Sequence, residues 1–159
     1  MINVVFVCQG NICRSPSAEA VMNAYIKGKK LDDKIKCDSA GTSAYHVGEM
    51  ADSRMKIHAV KRNYNLTSRA RQFVYEDFTK FDYIIAMDRQ NYNSILHMDH
   101  KMKHRDNVSM MTDYCTEYNM NEVPDPYYGG NEGFELVLDL LEDACTGFLN
   151  KIIKDHNLE

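Results

Sequence analysis

No apolar run in this sequence approaches the roughly 20 residues that a membrane-spanning helix needs. The mean hydropathy of −0.49 agrees, so membrane insertion is not expected. Basic clusters are missing as well: 19 Lys and Arg against 23 Asp and Glu leave a formal charge of −4, without the basic face that nucleic-acid binding draws on. The opening residues, Met1-Ile2-Asn3-Val4-Val5-Phe6-Val7, lack the basic segment and small-residue cleavage site of a secretory signal, so the expected address is cytoplasmic. Five cysteines, at positions 8, 13, 37, 115 and 145, are odd in number and irregular in spacing, which argues against a disulfide framework and for reduced thiols. Repeats and low-complexity tracts are absent. What is present is a chain of 159 residues, 44% of them hydrophobic, enough for one well-buried core and short for two, so residues 1–159 are read as a single domain.

The apolar, β-branched run Asn3 to Val7 reads as a strand buried on both faces, stopped by the polar Cys8-Gln9-Gly10-Asn11. A helix should follow, with Ser15 at the N-cap, Pro16 in the first helical position, and Ala18, Val21, Met22, Tyr25 and Ile26 on one face. Ile35 to Ser39 is a second candidate strand and 51–64 a weaker helix. Phe81 to Met87 is the clearest later strand, followed by a helix led by Asp88 and a short strand at Val108–Met111. The stretch Thr112 to Gly133 is too long and polar to be a mere connection and is read as a functional loop. The last helix runs from Gly133 to about Asp155. Strands alternating with helices imply an α/β fold: a four-stranded parallel sheet flanked by helices, with ligands expected at the carboxyl ends of the strands, where Cys8 stands.

The loop after the first strand carries the chemistry. A segment curling at a helix N-terminus aims backbone N–H groups inward and adds the positive end of the helix dipole, which together make an anion site. Gly10 can take a positive φ, and Asn11 tolerates one better than most residues. Arg14 adds a planar fork that holds two phosphate oxygens at once. The same field favours a thiolate at Cys8, able to attack phosphorus, and Ser15 is placed to donate to it. The bland alternative is a buried cysteine ending a strand beside an ordinary turn; the coincidence of parts outweighs it.

The run Val5-Phe6-Val7-Cys8-Gln9-Gly10-Asn11-Ile12-Cys13-Arg14-Ser15-Pro16 resembles the signature of the low-molecular-weight protein tyrosine phosphatases. Asp38-Ser39-Ala40-Gly41, Ala70-Arg71-Gln72, Phe81 to Asp88 and Asp125-Pro126-Tyr127-Tyr128-Gly129 resemble further blocks of that family in family order, so the likeness covers nearly the whole chain. The resemblance implies hydrolysis of phosphotyrosine and aryl phosphates, with acid phosphatase activity, through a cysteinyl-phosphate on Cys8. Arg14 would clamp the phosphate, and Gln9, Gly10, Asn11, Ile12, Cys13 and Ser15 would line the phosphate loop. The implied partners are phosphotyrosine proteins and, as products or inhibitors, phosphate and other oxyanions; no cofactor or metal is implied.

Expulsion of a phenolate, whose conjugate acid has a pKa near ~10, calls for a general acid. Asp125 is the candidate: Pro124 and Pro126 hold its backbone extended, and the resemblance assigns it the same role. Tyr127 and Tyr128, with Tyr45 opposite, are candidate walls for a substrate ring. The resemblance further implies Asn11 and Ser39 as mutual hydrogen-bond partners and Asp88 as a support at the end of the third strand. Ser68 stands where many family members have His. Cys13, five residues after Cys8, is a candidate for a reversible disulfide that protects the nucleophile. Cys37 and Cys145 read as core thiols, and Cys115 has no assigned role. His97, His100 and His104 are interleaved with Asp99, Lys101 and Lys103, which reads as a solvated helix end rather than a metal site. Two rival functions remain at this level. One is a thiol-coupled arsenate reductase, disfavoured because Ala86 to Asn91 holds no further cysteine; the other is a non-catalytic phosphotyrosine-binding module. Larger tyrosine phosphatases are excluded as close kin by length and by Val7, where they place His.

Overall fold

Along the first strand, Val4 and Phe6 enter one apolar layer while Val5 and Val7 enter the other, and all four are fully buried. Each such side chain contributes about 1.5–3 kcal/mol on burial, so this segment can only be a central strand. The computed structural model describes residues 1–127 and 129–159. Its elements in chain order are β1 (Ile2–Cys8), α1 (Arg14–Gly28), β2 (Ile35–Gly41), α2 (Ser53–Val60), α3 (Asp77–Lys80), β3 (Tyr83–Ala86), α4 (Arg89–Met98), β4 (Val108–Met110) and α5 (Asn131–His156), with 3-10 turns at Arg105–Asn107 and Met111–Tyr114.

The four strands form one parallel sheet in the order β2-β1-β3-β4, as the alternation of strands and helices implies. From β1 the chain crosses to β2 on one side and then to β3 on the other. The carboxyl end of β1 is therefore the switch point at which open α/β sheets leave a crevice. Helices α1 and α5 cover one face: Val21, Met22, Leu138, Leu141 and Phe148 join Val4, Phe6, Ile85 and Met87. Phe73, Phe78, Phe81 and Ile95 cover the other, against Val5, Val7, Ile84 and Ala86. Gly147 lets α5 approach the turn at Met111–Tyr114 backbone to backbone, since a Cβ there would lie 2.1 Å from the Tyr114 carbonyl. Cys37 and Cys145 are core thiols, and burial raises both well above the ordinary thiol range.

The structure corrects one capping expectation. Helix α1 begins at Arg14, with Cys13 in the cap position and no side-chain cap. Ser15 is thus inside the first turn, with its hydroxyl free for the loop, and Pro16 takes the third helical position, where no intrahelical N–H bond is forfeited. Helix α3 was not anticipated; at four residues it is too short to show a period. Among the described residues, no helix is long and apolar enough to cross a membrane.

Candidate active site

The loop between β1 and α1 is held in its curl from several sides. Asn11 takes the left-handed region at φ 57°, and Gly10 does not. Gly10 is small for another reason, because a Cβ there would come within 3.0 Å of the His46 ring. Asn11 also braces the turn: its N–H donates to Cys8 Sγ (3.3 Å), its Nδ2 to Ser15 Oγ (2.8 Å), and its Oδ1 accepts from Arg71 N (3.0 Å). Beyond β2, Thr42 N donates to the Cys8 carbonyl (2.9 Å) and Ser43 N to that of Gln9 (3.0 Å). Gly41 permits this approach, since a Cβ would meet the Gln9 carbonyl at 2.7 Å.

The expected bond between Asn11 and Ser39 is not formed. Asn11 is engaged with Ser15 and Arg71, and Ser39 Oγ donates instead to Glu19 Oε1 at 2.6 Å. Burial raises the Glu19 carboxyl above its usual range, against hydrogen bonds from Ser39 and Ser68 that lower it. Ser68 thus supports the same carboxyl group.

Cys8 Sγ lies 3.0 Å from Ser15 Oγ and next to the start of α1. Cys13 has a different environment: burial first, then Asp52, pushes its thiol well up. Cys115 is half-buried against α5, and burial together with Asp143 pushes its thiol up to about 12. Arg14 is 2% exposed. One edge of its guanidinium is fixed, Nη1 donating to Asp88 Oδ2 (2.6 Å) and to the Val123 carbonyl (3.0 Å). On the other edge Nη2 lies 3.5 Å from Asp125, and the buried Nε has no partner among the described residues. Burial opposes the charge on Arg14, but Cys8, the Asp88 hydrogen bond and Asp125 outweigh it and hold the pKa above its ordinary value. Asp88 serves twice, since its Oδ1 also caps α4 by accepting from Asn91 N (2.7 Å).

Cys8, Gln9, Gly10, Ile12, Cys13, Arg14, Tyr45, Asp125 and Tyr127 all border a single cavity of about 460 Å³. Of the sequence candidates, Ser15 and Asp88 stand behind that wall and Ser39 one step further, while Tyr128 lies outside the described residues. His46 was missed. It contributes the middle of the aromatic rim, edge-on to Tyr45 at 4.7 Å and tilted against Tyr127 at 6.1 Å, so Tyr45 and Tyr127 are not a simple facing pair. Its Nδ1 meets the Glu49 carboxylate at 3.1 Å. Among the described residues no three His, Cys, Asp or Glu side chains are grouped to hold a metal ion; His104 stacks on Phe78 instead.

Comparison with known proteins points to one family. The family model for low molecular weight phosphotyrosine protein phosphatase matches residues 3–158. A Synechocystis sp. relative, named as a protein-tyrosine-phosphatase of the same class, is 53% identical over 97% of this chain and 98% of its own. The crystal structure of a protein tyrosine phosphatase from Entamoeba histolytica superposes with a TM-score of 0.93 at 45% identity, covering 98% of this chain and 99% of the other. That of YfkJ from Bacillus subtilis gives 0.91 at 38% identity, covering 98% and 96%.

Proposed function

The chain belongs to the low molecular weight phosphotyrosine protein phosphatase family, and from that premise we propose that it hydrolyses phosphotyrosine in two steps, with Cys8 as nucleophile, Arg14 as phosphate clamp and Asp125 as general acid and base. In the first step the Cys8 thiolate attacks phosphorus, the bond from phosphorus to the aryl oxygen breaks, and the leaving oxygen takes the proton of Asp125. In the second, the Asp125 carboxylate accepts a proton from water, the water oxygen bonds to phosphorus, and the sulfur departs as thiolate with release of inorganic phosphate. The N–H groups of the loop and the start of α1 would receive the charge on the non-bridging oxygens.

The observation that carries this reading is the division of Arg14 into two edges. A fully buried guanidinium has Nη1 locked by Asp88 and Val123, which leaves Nη2 3.5 Å from Asp125 and the buried Nε without a partner among the described residues, and Arg14 borders one cavity with Cys8 and Asp125. Two parallel donors in a plane match a phosphoryl group. The aromatic rim of Tyr45, His46 and Tyr127 would receive the phenyl ring, with Tyr128 a further candidate, and depth would favour phosphotyrosine over the shorter phosphoserine. The substrates are phosphoproteins, and phosphate is the product.

The test is p-nitrophenyl phosphate with chelator present. Wild type should give a burst of one phenolate per enzyme followed by steady turnover, and Cys8→Ser should give neither. Full activity in Cys8→Ser would overturn the mechanism, and thioredoxin-coupled reduction of arsenate at a comparable rate would move the assignment to the rival enzyme.

A further inference from the structure

Arg54 is absent from the cavity wall, yet it touches the loop that carries Asp125. Its place is set by Asp52, which caps α2 by accepting from Arg54 N (2.9 Å) and Met55 N (3.3 Å). Asp52 is itself tied to the phosphate loop, its backbone N–H donating to the Ile12 carbonyl at 2.8 Å. The Arg54 side chain returns to the same carboxylate with two donors, Nε to Oδ1 at 3.2 Å and Nη2 to Oδ2 at 3.0 Å. Nη2 also donates to the Tyr127 carbonyl at 3.0 Å. The guanidinium carbon lies 5.3 Å from the Tyr127 ring centroid and 5.0 Å from that of Phe134, at the start of α5. Tyr127 N in turn donates to Asp125 Oδ1 at 3.0 Å. A continuous line of contacts therefore runs from the nucleophile loop through Asp52, Arg54 and Tyr127 to Asp125.

We propose that Arg54 is a positioning residue for the general acid: fixed by Asp52, it holds the backbone and ring of Tyr127 and so sets the reach of Asp125 into the cavity. The task needs a planar, multidentate group. One guanidinium face meets aromatic carbon while its edge bonds a carboxylate and a carbonyl, which an ammonium cannot reproduce. Because the Arg54 side chain is 44% exposed, solvent screens its charge, and the contribution is geometric. Without it, the loop keeps its anchor at Val123, whose N–H donates to the Met87 carbonyl at 2.8 Å, and loses the Arg54 contacts to the Tyr127 carbonyl and ring. A misplacement of about 1 Å costs on the order of 100-fold in such reactions.

This inference rests on the assignment of Asp125 as the acid, and the experiment separates the two. The measurement is kcat/KM, which reports the first chemical step, for aryl phosphates from dinitrophenyl to phenyl phosphate in wild type, Arg54→Ala, Arg54→Lys, Asp125→Asn and the Arg54→Ala/Asp125→Asn double variant. Arg54→Ala should lose about 10- to 100-fold on phenyl phosphate and no more than about threefold on dinitrophenyl phosphate. Arg54→Lys should recover little of it, and inhibition by inorganic phosphate should stay unchanged. The double variant should be no worse than Asp125→Asn alone. Equal loss on every substrate, or further loss in the double variant, would overturn the positioning role. A leaving-group dependence in Asp125→Asn no steeper than in wild type would instead overturn the acid assignment. Should Arg54→Ala fail to fold, Asp52→Asn loosens the same pair and must show the same leaving-group dependence for the proposal to stand.

Discussion

Ser15→Ala tests the site at its centre. The Ser15 hydroxyl has one proton to give. It accepts from Asn11 Nδ2 at 2.8 Å, so its proton points either to Cys8 Sγ at 3.0 Å or to the Ala40 carbonyl at 3.3 Å. The thiolate of the proposed mechanism would take it. Hydrogen bonds to charged groups contribute about 1.5–3 kcal/mol, which is about 10- to 100-fold in rate. The two steps of the proposed reaction would not share this loss equally. In the first, the donor stabilises the attacking thiolate; removing it leaves fewer but more reactive thiolates, and the effects partly cancel. In the second, the thiolate is the leaving group and the whole contribution is lost. Ser15→Ala should therefore lower kcat by about 10- to 100-fold, retain a full burst of p-nitrophenolate in stopped flow, and lower KM along with kcat, so that kcat/KM changes less. Stability should fall by about 1–3 kcal/mol in urea titration, because Asn11, 3% exposed, keeps an amide group without its acceptor. An unchanged kcat, or equal falls in kcat and kcat/KM, would refute the reasoning.

Asp88→Asn should cost about 2–3 kcal/mol of stability, since an amide cannot supply the charge that faces Arg14 Nη1 at 2.6 Å; thermal melts should show saturating phosphate restoring more to this variant than to wild type. Asp143 accepts from Thr116 N, Glu117 N and Tyr118 N, and although burial raises its carboxyl, these bonds outweigh it and lower the pKa. A carboxylate depressed in the folded state stabilises above its unfolded pKa of about 4 and loses that contribution as pH falls through its folded value. Calorimetry should therefore find Asp143→Asn below wild type at neutral pH, with the two converging in acid; a constant gap would contradict this. Under peroxide, Cys8 should form a sulfenic acid that condenses with Cys13, releasing water and leaving a disulfide visible by mass spectrometry. Direct passage of Cys8 to sulfinic acid would exclude the disulfide, and the raised pKa of Cys13 slows the second step at neutral pH.

The parts legible in the sequence were those whose cause is local. β1 could be read because burial on both faces leaves only apolar residues in five consecutive positions, and α5 because eleven of its residues are buried at helical spacing. The phosphate loop could be read because its glycine, asparagine and arginine sit within seven residues of the nucleophile. What escaped depends on distant neighbours. Arg54 meets the Tyr127 carbonyl 73 residues along the chain, and His46 meets Gly10 across two loops; no pattern around either residue announces the encounter. The Asn11 and Ser39 pairing failed for the same reason. Both side chains sit behind the loop, but Glu19, facing β2 from α1, offers Ser39 a carboxyl acceptor at 2.6 Å, and Asn11 is taken by Ser15 and Arg71.

Net charge was the least informative guide to the ligand. A chain of charge −4 would be expected to repel a phosphate ester, and the immediate surroundings sharpen the difficulty. Among the described residues bordering the cavity Arg14 is the only Lys or Arg, and it already faces Asp88 at 2.6 Å and Asp125 at 3.5 Å. Formal charges alone therefore do not offset a phosphate dianion here. Beside the Arg14 fork, the proposed binding draws on oriented N–H dipoles in the loop and at the start of α1, which add positive potential without a counter-ion. In the proposed first step Asp125 gives a proton to the leaving oxygen, and that transfer also removes a charge from the oxygen as the bond to phosphorus breaks. In the proposed second step the resulting carboxylate is the base, acting after the phenol has left and water has taken its place.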